Sequence, residues 1–542
     1  MKNKAIFVWT SILNFLFILF QISGYCLGKD PDFKWTALTA LAIISVSVIA
    51  GILVSFLFFF LYDTISERKT HKTAVQKEYR LERFINFPVL WAVFFISYIP
   101  MYLIFYPGIC AYDTTVQLEQ VVSGHYIDHH PFLHTMLIKG FYNLGEAVGN
   151  INLGIGLFVL LQMIALSAAF AASVVLLKKK GLSFAWKLFL ILFFLLFPYH
   201  VFMALSVAKV ALFTAAFVPL TVLVCLSLAS GRKTFEIRGA EISVFLLCFP
   251  VVAFRTNARY ALMILCVILA ILTVLSKENR KRYGRVLLAV GGGLALSLFV
   301  ISFLYKKYDV TQADRREMLS IPIQQMGRVA YYHYDELDDA EKLEIDNFML
   351  GESRKYYEPA ISDPIKRHIN TSRILESPKG MLNTYLKLLV RYPGDYVNAV
   401  LALDSGYYYL ADRSSLNIYG DSFGYGFVQT AWSVQLADYG VTGQSFFPGA
   451  LKKTEAFLSD NVLQNIPVVR ILFMPGYVLW ACLYLGLWAL HRKKYNLAIA
   501  LVLPLAYILT LIAGPTVQLR YIYPVWALLP LLFALGVIPK ED

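Results

Sequence analysis

Charge is scarce in this chain. Of its 542 residues only 16% are Asp, Glu, Lys or Arg, against 58% that are hydrophobic, and the mean hydropathy is +0.59. Soluble domains carry about a quarter charged residues, so the scarcity excludes an ordinary soluble enzyme. Cysteine is sparse too: Cys26, Cys110, Cys225, Cys248, Cys266 and Cys482 include no C-x-x-C pair, which argues against a disulfide framework and a zinc site. Most fall inside apolar runs and read as small buried side chains. There is no internal repeat, no low-complexity segment, no P-loop and no dinucleotide fingerprint, so no nucleotide site is expected. The net charge of +13 does not imply a nucleic-acid partner in a chain of this kind.

What is abundant is long apolar runs. Runs of roughly 18 or more residues with few charges read as membrane spans. Twelve are expected, near residues 5–27, 36–62, 86–106, 151–177, 188–205, 207–229, 241–254, 260–276, 286–304, 467–490, 496–513 and 521–538. The first begins with MKNK, but it is too long for a signal-peptide core, no small-x-small cleavage site follows, and Tyr25 directly before Cys26 speaks against a lipoprotein site. It reads as a retained anchor.

Orientation follows from Lys and Arg in the short loops. With the N-terminus inside, cytoplasmic segments hold 24 of these cations and the short outer loops and span ends hold 8. The expected fold is therefore an all-α polytopic membrane protein of about twelve helices in the cytoplasmic membrane, with both termini cytoplasmic. Its parts are two N-terminal spans with a basic cytoplasmic loop (1–85), a core of spans (86–304) with an outer loop at 107–150, a mostly helical extracytoplasmic domain (305–466), and three C-terminal spans (467–542). The large outer domain holds 16 of the 34 tyrosines and is mildly acidic, with 17 Lys and Arg against 21 Asp and Glu. Tyrosine at that density suits either the membrane interface or stacking on sugar rings. Within it Ser377 and Pro378 read as the start of a helix ending before Pro393, and Asp395 as the cap of the next. The Gly-rich stretches YGDSFGYGF and DYGVTGQSFFPG read as loops or lids.

The first outer loop carries the candidate chemistry. Pro107 and Gly108 break the third span, and a helix is expected from about Thr114 to Ser123. On it Asp113, Gln117, Gln120 and Gly124 share one face. Asp113 is then either the carboxylate at the head of a polar stripe or an N-cap. Asp128-His129-His130-Pro131 and His134 follow. The i, i+4 spacing of His130 and His134 is one that metal-binding helices use; binding to an acceptor or a phosphate, and a purely structural cluster, are the other readings. Four cations, Lys209, Arg255, Arg259 and Arg520, stand at the outer ends of apolar spans. They read either as snorkelling anchors or, if they converge, as a pocket for a lipid phosphate at headgroup depth.

The arrangement of an acid in the first large outer loop, many spans, and arginine near the outer end of late spans resembles the GT-C membrane glycosyltransferases. More closely it resembles an uncharacterised family of bacterial polytopic proteins grouped near them. The likeness is carried by Pro107, Gly108, Asp113, Gln117, Gln120, Gly124, His130, Pro131 and Thr135, by Arg255 with Asn257 and Tyr260, by IPIQQMGR (321–328) and SDPIKR (362–367), and by Arg520, Tyr521 and Pro524. It implies an inverting enzyme that takes a sugar from a polyprenyl-phosphate donor to an acceptor, a cell-envelope glycan or protein, outside the bilayer. By that likeness Asp113 is the catalytic base, Lys209, Arg255, Arg259 and Arg520 hold the donor phosphate, and Gln117, Gln120, Asp128, His130 and His134 bind the acceptor or sugar. The loop has no Asp-x-Asp and Lys209 is followed by Val210 where relatives often carry an acid, so no cofactor is certain and a divalent metal stays open. The rival expectations are a transporter or flippase of lipid-linked precursors, and a polysaccharide polymerase or ligase.

Overall fold

The computed structural model describes residues 2–68, 80–110, 112–229, 239–350, 352–411, 436–459 and 462–538. Among these residues every regular element is helical, and strand pairing is limited to isolated bridges. The chain opens with α1 (Lys2–Lys29) and α2 (Ala37–Arg68), followed by α3 (Phe87–Ile104). In the loop after α3, expected on the outer side, stand α4 (Tyr112–Ser123) and α5 (Phe132–Ala147). The core continues through α6 (Ile151–Lys179), α7 (Phe184–Leu196), α8 (Pro198–Leu205), α9 (Val210–Ala229), α10 (Ala240–Phe254), α11 (Ala258–Leu275) and α12 (Arg280–Lys307).

Nine of the described helices are long and apolar enough to cross a membrane, and a tenth span results if α7 and α8, bent by 50°, count as one. The bend falls at Phe197-Pro198, where proline has no N–H to give to the preceding turn. Two of the twelve expected runs are shorter apolar helices, α10 and the helix Gly476–His491. At about 1.5 Å per residue neither reaches the ~30 Å of a hydrocarbon core by itself. The tenth run is divided: a short helix at Pro467–Ile471 precedes the longer one.

The hydrophobic helix α9 lies at the centre, with 94% of its apolar window buried. Around it pack α6, α10 and the last helix, Leu519–Val537. By contrast α1 and α2 form a peripheral hairpin whose outward residues, Leu38, Leu41, Ile49 and Leu53 among them, are exposed as lipid-facing residues would be. A Cβ at Gly51 would lie 2.8 Å from the Phe15 backbone nitrogen, so glycine is what lets the two helices touch. Asn14 donates to Ser55 Oγ at 2.8 Å and accepts from the Tyr484 hydroxyl at 2.6 Å, which ties the hairpin to the bundle.

The segment after α12 folds as a separate helical layer: α13 (Ser320–Tyr332), α14 (Asp339–Phe348), α15 (Asp363–Lys366), α16 (Thr371–Glu376), α17 (Pro378–Arg391), α18 (Pro393–Leu403) and α19 (Ser405–Tyr408). Its own core holds Ile323, Met326, Ile345, Phe348, Ile365, Leu388 and Tyr396. Pro378 starts its helix and that helix ends before Pro393 as expected, but Ser377 makes no capping hydrogen bond, and the next helix starts at Pro393 itself, leaving Asp395 inside the first turn to serve a different end. Its carboxylate receives Arg328 Nε at 3.0 Å and faces His333 at 3.2 Å. Arg328 is fully buried, lies over the Tyr332 ring, and also donates to the carbonyl of Pro31 at 2.7 Å. The outer layer is thereby clamped to the loop between α1 and α2, where Asn398 also joins Trp35 and Phe33.

Most tyrosines in this layer are spent on packing. Tyr357, Tyr396, Tyr407 and Tyr408 are buried, whereas Tyr331 and Tyr356 are about half exposed. Of the two Gly-rich stretches, YGDSFGYGF lies outside the described residues, and the part beginning at Asp438 is turn and loop up to the helix Pro448–Ser459.

The clamp is testable. Removing one partner of a buried ion pair costs about 3–5 kcal/mol, so Arg328→Ala should lower the thermal midpoint of the purified protein by several degrees. Arg328→Lys should restore only part of it, because a point charge cannot serve Asp395 and the Pro31 carbonyl together.

Candidate functional site

Two chain breaks build the site. Gly108 has φ +151, and a Cβ there would lie 2.6 Å from Val159 and 3.1 Å from the Leu205 carbonyl, so only glycine permits this close approach. The strand-like residues on either side then pair: Ile109 N donates to Leu205 O at 2.9 Å and Val207 N to Ile109 O at 2.8 Å. Thr114, on α4, donates from its hydroxyl to Val207 O at 2.9 Å. These bonds fix the start of α4 against the start of α9. As a result Asp113, in the first turn of α4, faces Lys209, one residue before α9 begins.

Lys209 Nζ lies 3.3 Å from Asp113 Oδ2, and Arg520 Nη2 lies 3.7 Å from Oδ1. His130 Nδ1 is 3.9 Å from the same carboxylate and 3.4 Å from Lys209 Nζ. Burial alone pushes the Asp113 carboxyl up, but Arg520, Lys209 and His130 outweigh it and hold the group well below the usual range. Its place at a helix N-terminus works in the same direction. Burial and the Lys209 charge press His130 down to about 3, so near neutrality it is an uncharged ring whose Nδ1 can accept from Lys209.

Arg255 completes the group. It is extended, in the break between α10 and α11, and its guanidinium stacks near three rings, with centroids at 4.9 Å for Tyr521, 5.6 Å for Tyr507 and 6.0 Å for Phe213. Tyr507 is itself held by a hydrogen bond from its hydroxyl to the Tyr521 carbonyl at 2.8 Å. Arg255 is only 8% exposed, and its guanidinium makes no hydrogen bond or ion pair among the described residues, although its backbone carbonyl accepts from Ala258 N at 3.0 Å. Both Arg255 and Arg520 lie within electrostatic reach of Lys209. Among the described residues, Lys209, Arg255 and Arg520 thus bring three positive charges close to the Asp113 carboxylate and the neutral His130.

Arg259 does not join them. The i, i+4 spacing from Arg255 presumes one continuous helix, yet α11 begins only at Ala258 and the chain turns at Thr256-Asn257. Arg259 instead donates to the Tyr260 hydroxyl at 2.9 Å and faces Tyr305.

The polar stripe on α4 is used internally. Gln117 reaches Thr135 Oγ1 at 2.9 Å and His134 Nδ1 at 3.0 Å, and Gln120 Oε1 accepts from Ile127 N at 3.2 Å. Asp128 accepts from Ala313 N at 2.6 Å, which joins the first outer loop to the start of the outer layer. Of the five residues expected at an acceptor, only His130 touches Asp113. His130 and His134 are not on one helix, because Pro131 separates the first from α5. Among the described residues no group of three or more His, Cys, Asp or Glu side chains is arranged to hold a metal ion.

Sequence reasoning missed the aromatic box around Arg255, although Tyr521 stands beside Arg520 in the sequence. Tyr507 gives only the faint signal of a tyrosine inside an apolar run. A second omission is Asp404, a carboxylate set in the apolar stretch LALDSG just before the tyrosine run.

Fold and site together define a polytopic helical membrane protein with a charged cluster seated where several helices begin or end. The chain belongs to the family of unknown function DUF6020, whose model matches residues 121–538. The match takes in His130, His134, Lys209, Arg255 and Arg520 and begins just after Asp113, Gln117 and Gln120. No curated protein and no solved structure matches the chain.

The histidines set a pH dependence. Both His130 and His134 sit at about 3 through burial and the nearby Lys209 charge, against about 6.5 in an unfolded chain. Their folded values are depressed, so their contribution to stability is full above pH 6.5 and is lost as pH falls toward 3. Each should cost about 1.4 kcal/mol per pH unit below 6.5. Melting curves from pH 7.5 to 5 should fall accordingly, and His130→Gln should flatten the slope.

Proposed function

We propose that the chain is a GT-C-like glycosyltransferase with twelve spans and both termini cytoplasmic, in which the outer layer covers a site at the outer face of the bilayer. The donor is a polyprenyl-phosphate sugar and the acceptor a hydroxyl of a cell-envelope glycan or protein. The observation that carries this reading is Arg255: a buried guanidinium, stacked on aromatic rings and lacking an anionic partner among the described residues, beside Lys209 and Arg520. Buried charges are ordinarily paired. A phosphate supplies the missing partner, and arginine suits its geometry.

The gathered positive charge favours the reaction in a specific way. The donor phosphodiester carries one negative charge and the departing lipid phosphate carries up to two. Cations fixed before the reaction therefore stabilise the leaving group more than the donor, which is differential binding of the transition state. The acceptor oxygen forms a bond to the anomeric carbon and its proton passes to Asp113. The bond from that carbon to the phosphate oxygen breaks, and its electron pair leaves with the lipid phosphate. Attack opposite the leaving group inverts the anomeric centre.

Asp113 in its resting ion pairs is too acidic to be an effective base near neutrality. A phosphate that draws Lys209 and Arg520 toward itself loosens those pairs and raises the proton affinity of the carboxylate. Donor binding and base activation are then one event.

In reconstituted vesicles Asp113→Asn should still bind labelled donor lipid while transfer falls by about 10²–10⁴, the usual share of a general base. Arg255→Gln should weaken lipid binding itself. A correctly inserted Asp113→Asn protein with full transfer would rule out the base, and movement of unaltered lipid across the vesicle would mark a transporter instead.

A further inference from the structure

At the foot of the outer layer, α19 packs against α1 and the helix Gly476–His491. Gln21 and Trp480 both donate to the Tyr408 carbonyl, at 2.7 Å and 2.8 Å, which pins the turn in place. Asp404 and Tyr407 lie three residues apart on that turn, and Tyr407 N donates to Asp404 O at 2.8 Å. The two side chains are 5% and 1% exposed. Asp404 Oδ2 and the Tyr407 hydroxyl are both shielded from solvent and have no hydrogen-bond partner among the described residues. Two such orphaned oxygens three residues apart on one turn call for an explanation, because each forfeits roughly 1–3 kcal/mol of solvation.

Their surroundings supply one. The phenol of Tyr407 lies within electrostatic reach of Asp404, Arg255, Tyr507 and Tyr521. It is therefore near enough to feel the stacked guanidinium assigned above to the donor phosphate. Resting on that assignment, we infer that Asp404 and Tyr407 form a hydroxyl-recognition subsite for the sugar ring of a phosphate-linked donor, with the ring placed next to the phosphate held by Arg255.

The chemistry matches a neutral polyol better than a charged group. Burial holds Asp404 well above the usual carboxyl range and Tyr407 well above the usual phenol range, so both keep their protons. A carboxylic acid and a phenol each offer one O–H donor together with acceptor lone pairs. Neighbouring ring hydroxyls present the same mixture and can satisfy both oxygens at once. A bare lipid phosphate offers chiefly acceptor oxygens, whereas ring hydroxyls also donate to the lone pairs of both groups.

The subsite makes a stability prediction opposite in sign to that of a structural pair. If the two oxygens are kept unpaired for a ligand, then Asp404→Leu and Tyr407→Phe remove a burial penalty, and both variants should melt at or above the wild-type temperature. The full chain in lipid nanodiscs is titrated with decaprenyl phosphate and with its glucosyl, galactosyl and mannosyl derivatives, read by native mass spectrometry. The wild type should bind at least one glycosylated lipid about tenfold more tightly than the bare lipid, the factor expected of one or two hydrogen bonds. In Asp404→Leu and Tyr407→Phe most of that preference should vanish while affinity for decaprenyl phosphate is unchanged. Variants that keep the preference, variants that weaken every lipid equally, or a wild type with no preference would each overturn the subsite and leave the phosphate assignment standing. A wild type that binds none of the four lipids would overturn the phosphate assignment and the subsite together.

Discussion

One carboxylate shared among cations is the contact on which the arrangement depends. Asp113 is the only acid in direct contact with Lys209 and Arg520 among the described residues, and its charge is what allows them to sit together. Each belongs to a different part of the chain: Asp113 to the first outer loop, Lys209 to the junction of α8 and α9, Arg520 to the start of the last helix. Gly108 and the paired backbone of Ile109 and Val207 bring the first two into register. The last is held by contacts across the outer layer, where Ser362 N donates to the Pro515 carbonyl at 2.8 Å just upstream of Arg520.

The energetics of the cluster separate holding from function. Among the described residues Asp113 pairs with Lys209 and Arg520 and not with Arg255. The rest of the positive charge is tolerated by other means: Arg255 by the faces of Tyr521, Tyr507 and Phe213, and Arg520 in part by Gln518, whose Oε1 accepts from Nε at 2.6 Å. Cation–π contacts of this kind contribute about 0.5–2 kcal/mol each, enough to make burial bearable without cancelling the charge. Neutral His130 adds an acceptor and no further charge. The result is a cationic site held by aromatic faces and neutral acceptors as well as by Asp113.

Much of this was legible in the sequence, for a physical reason: hydrocarbon allows few polar side chains, so apolar runs and their charged ends are recorded residue by residue. Asp113, Lys209, Arg255 and Arg520 could be picked out as charges on the sparsely charged side, and the structure brings those four together. The apolar runs could likewise be placed, although α10 and the helix Gly476–His491 are shorter than a full crossing. Arg259 was not legible, because i, i+4 spacing gives proximity only on an unbroken helix and the chain bends at Thr256-Asn257. Gln117 and Gln120 do share a face, yet a face does not reveal its neighbour, and theirs is the 127–135 segment of the same loop. Asp404 was least visible of all. Sequence shows which residues are polar and cannot show which polar atoms have been left unpaired.

The contact between Arg328 and the Pro31 carbonyl spans 297 positions of chain. Ribosomes add roughly 5–20 residues each second, so the α1–α2 hairpin emerges some 15–60 seconds before the arginine that will grip its loop exists. During that interval the hairpin is held only by its own packing, through Gly51 against Phe15 and Asn14 to Ser55. The order of synthesis thus asks these two helices to be a self-sufficient unit first and a fixed wall of the bundle only afterwards.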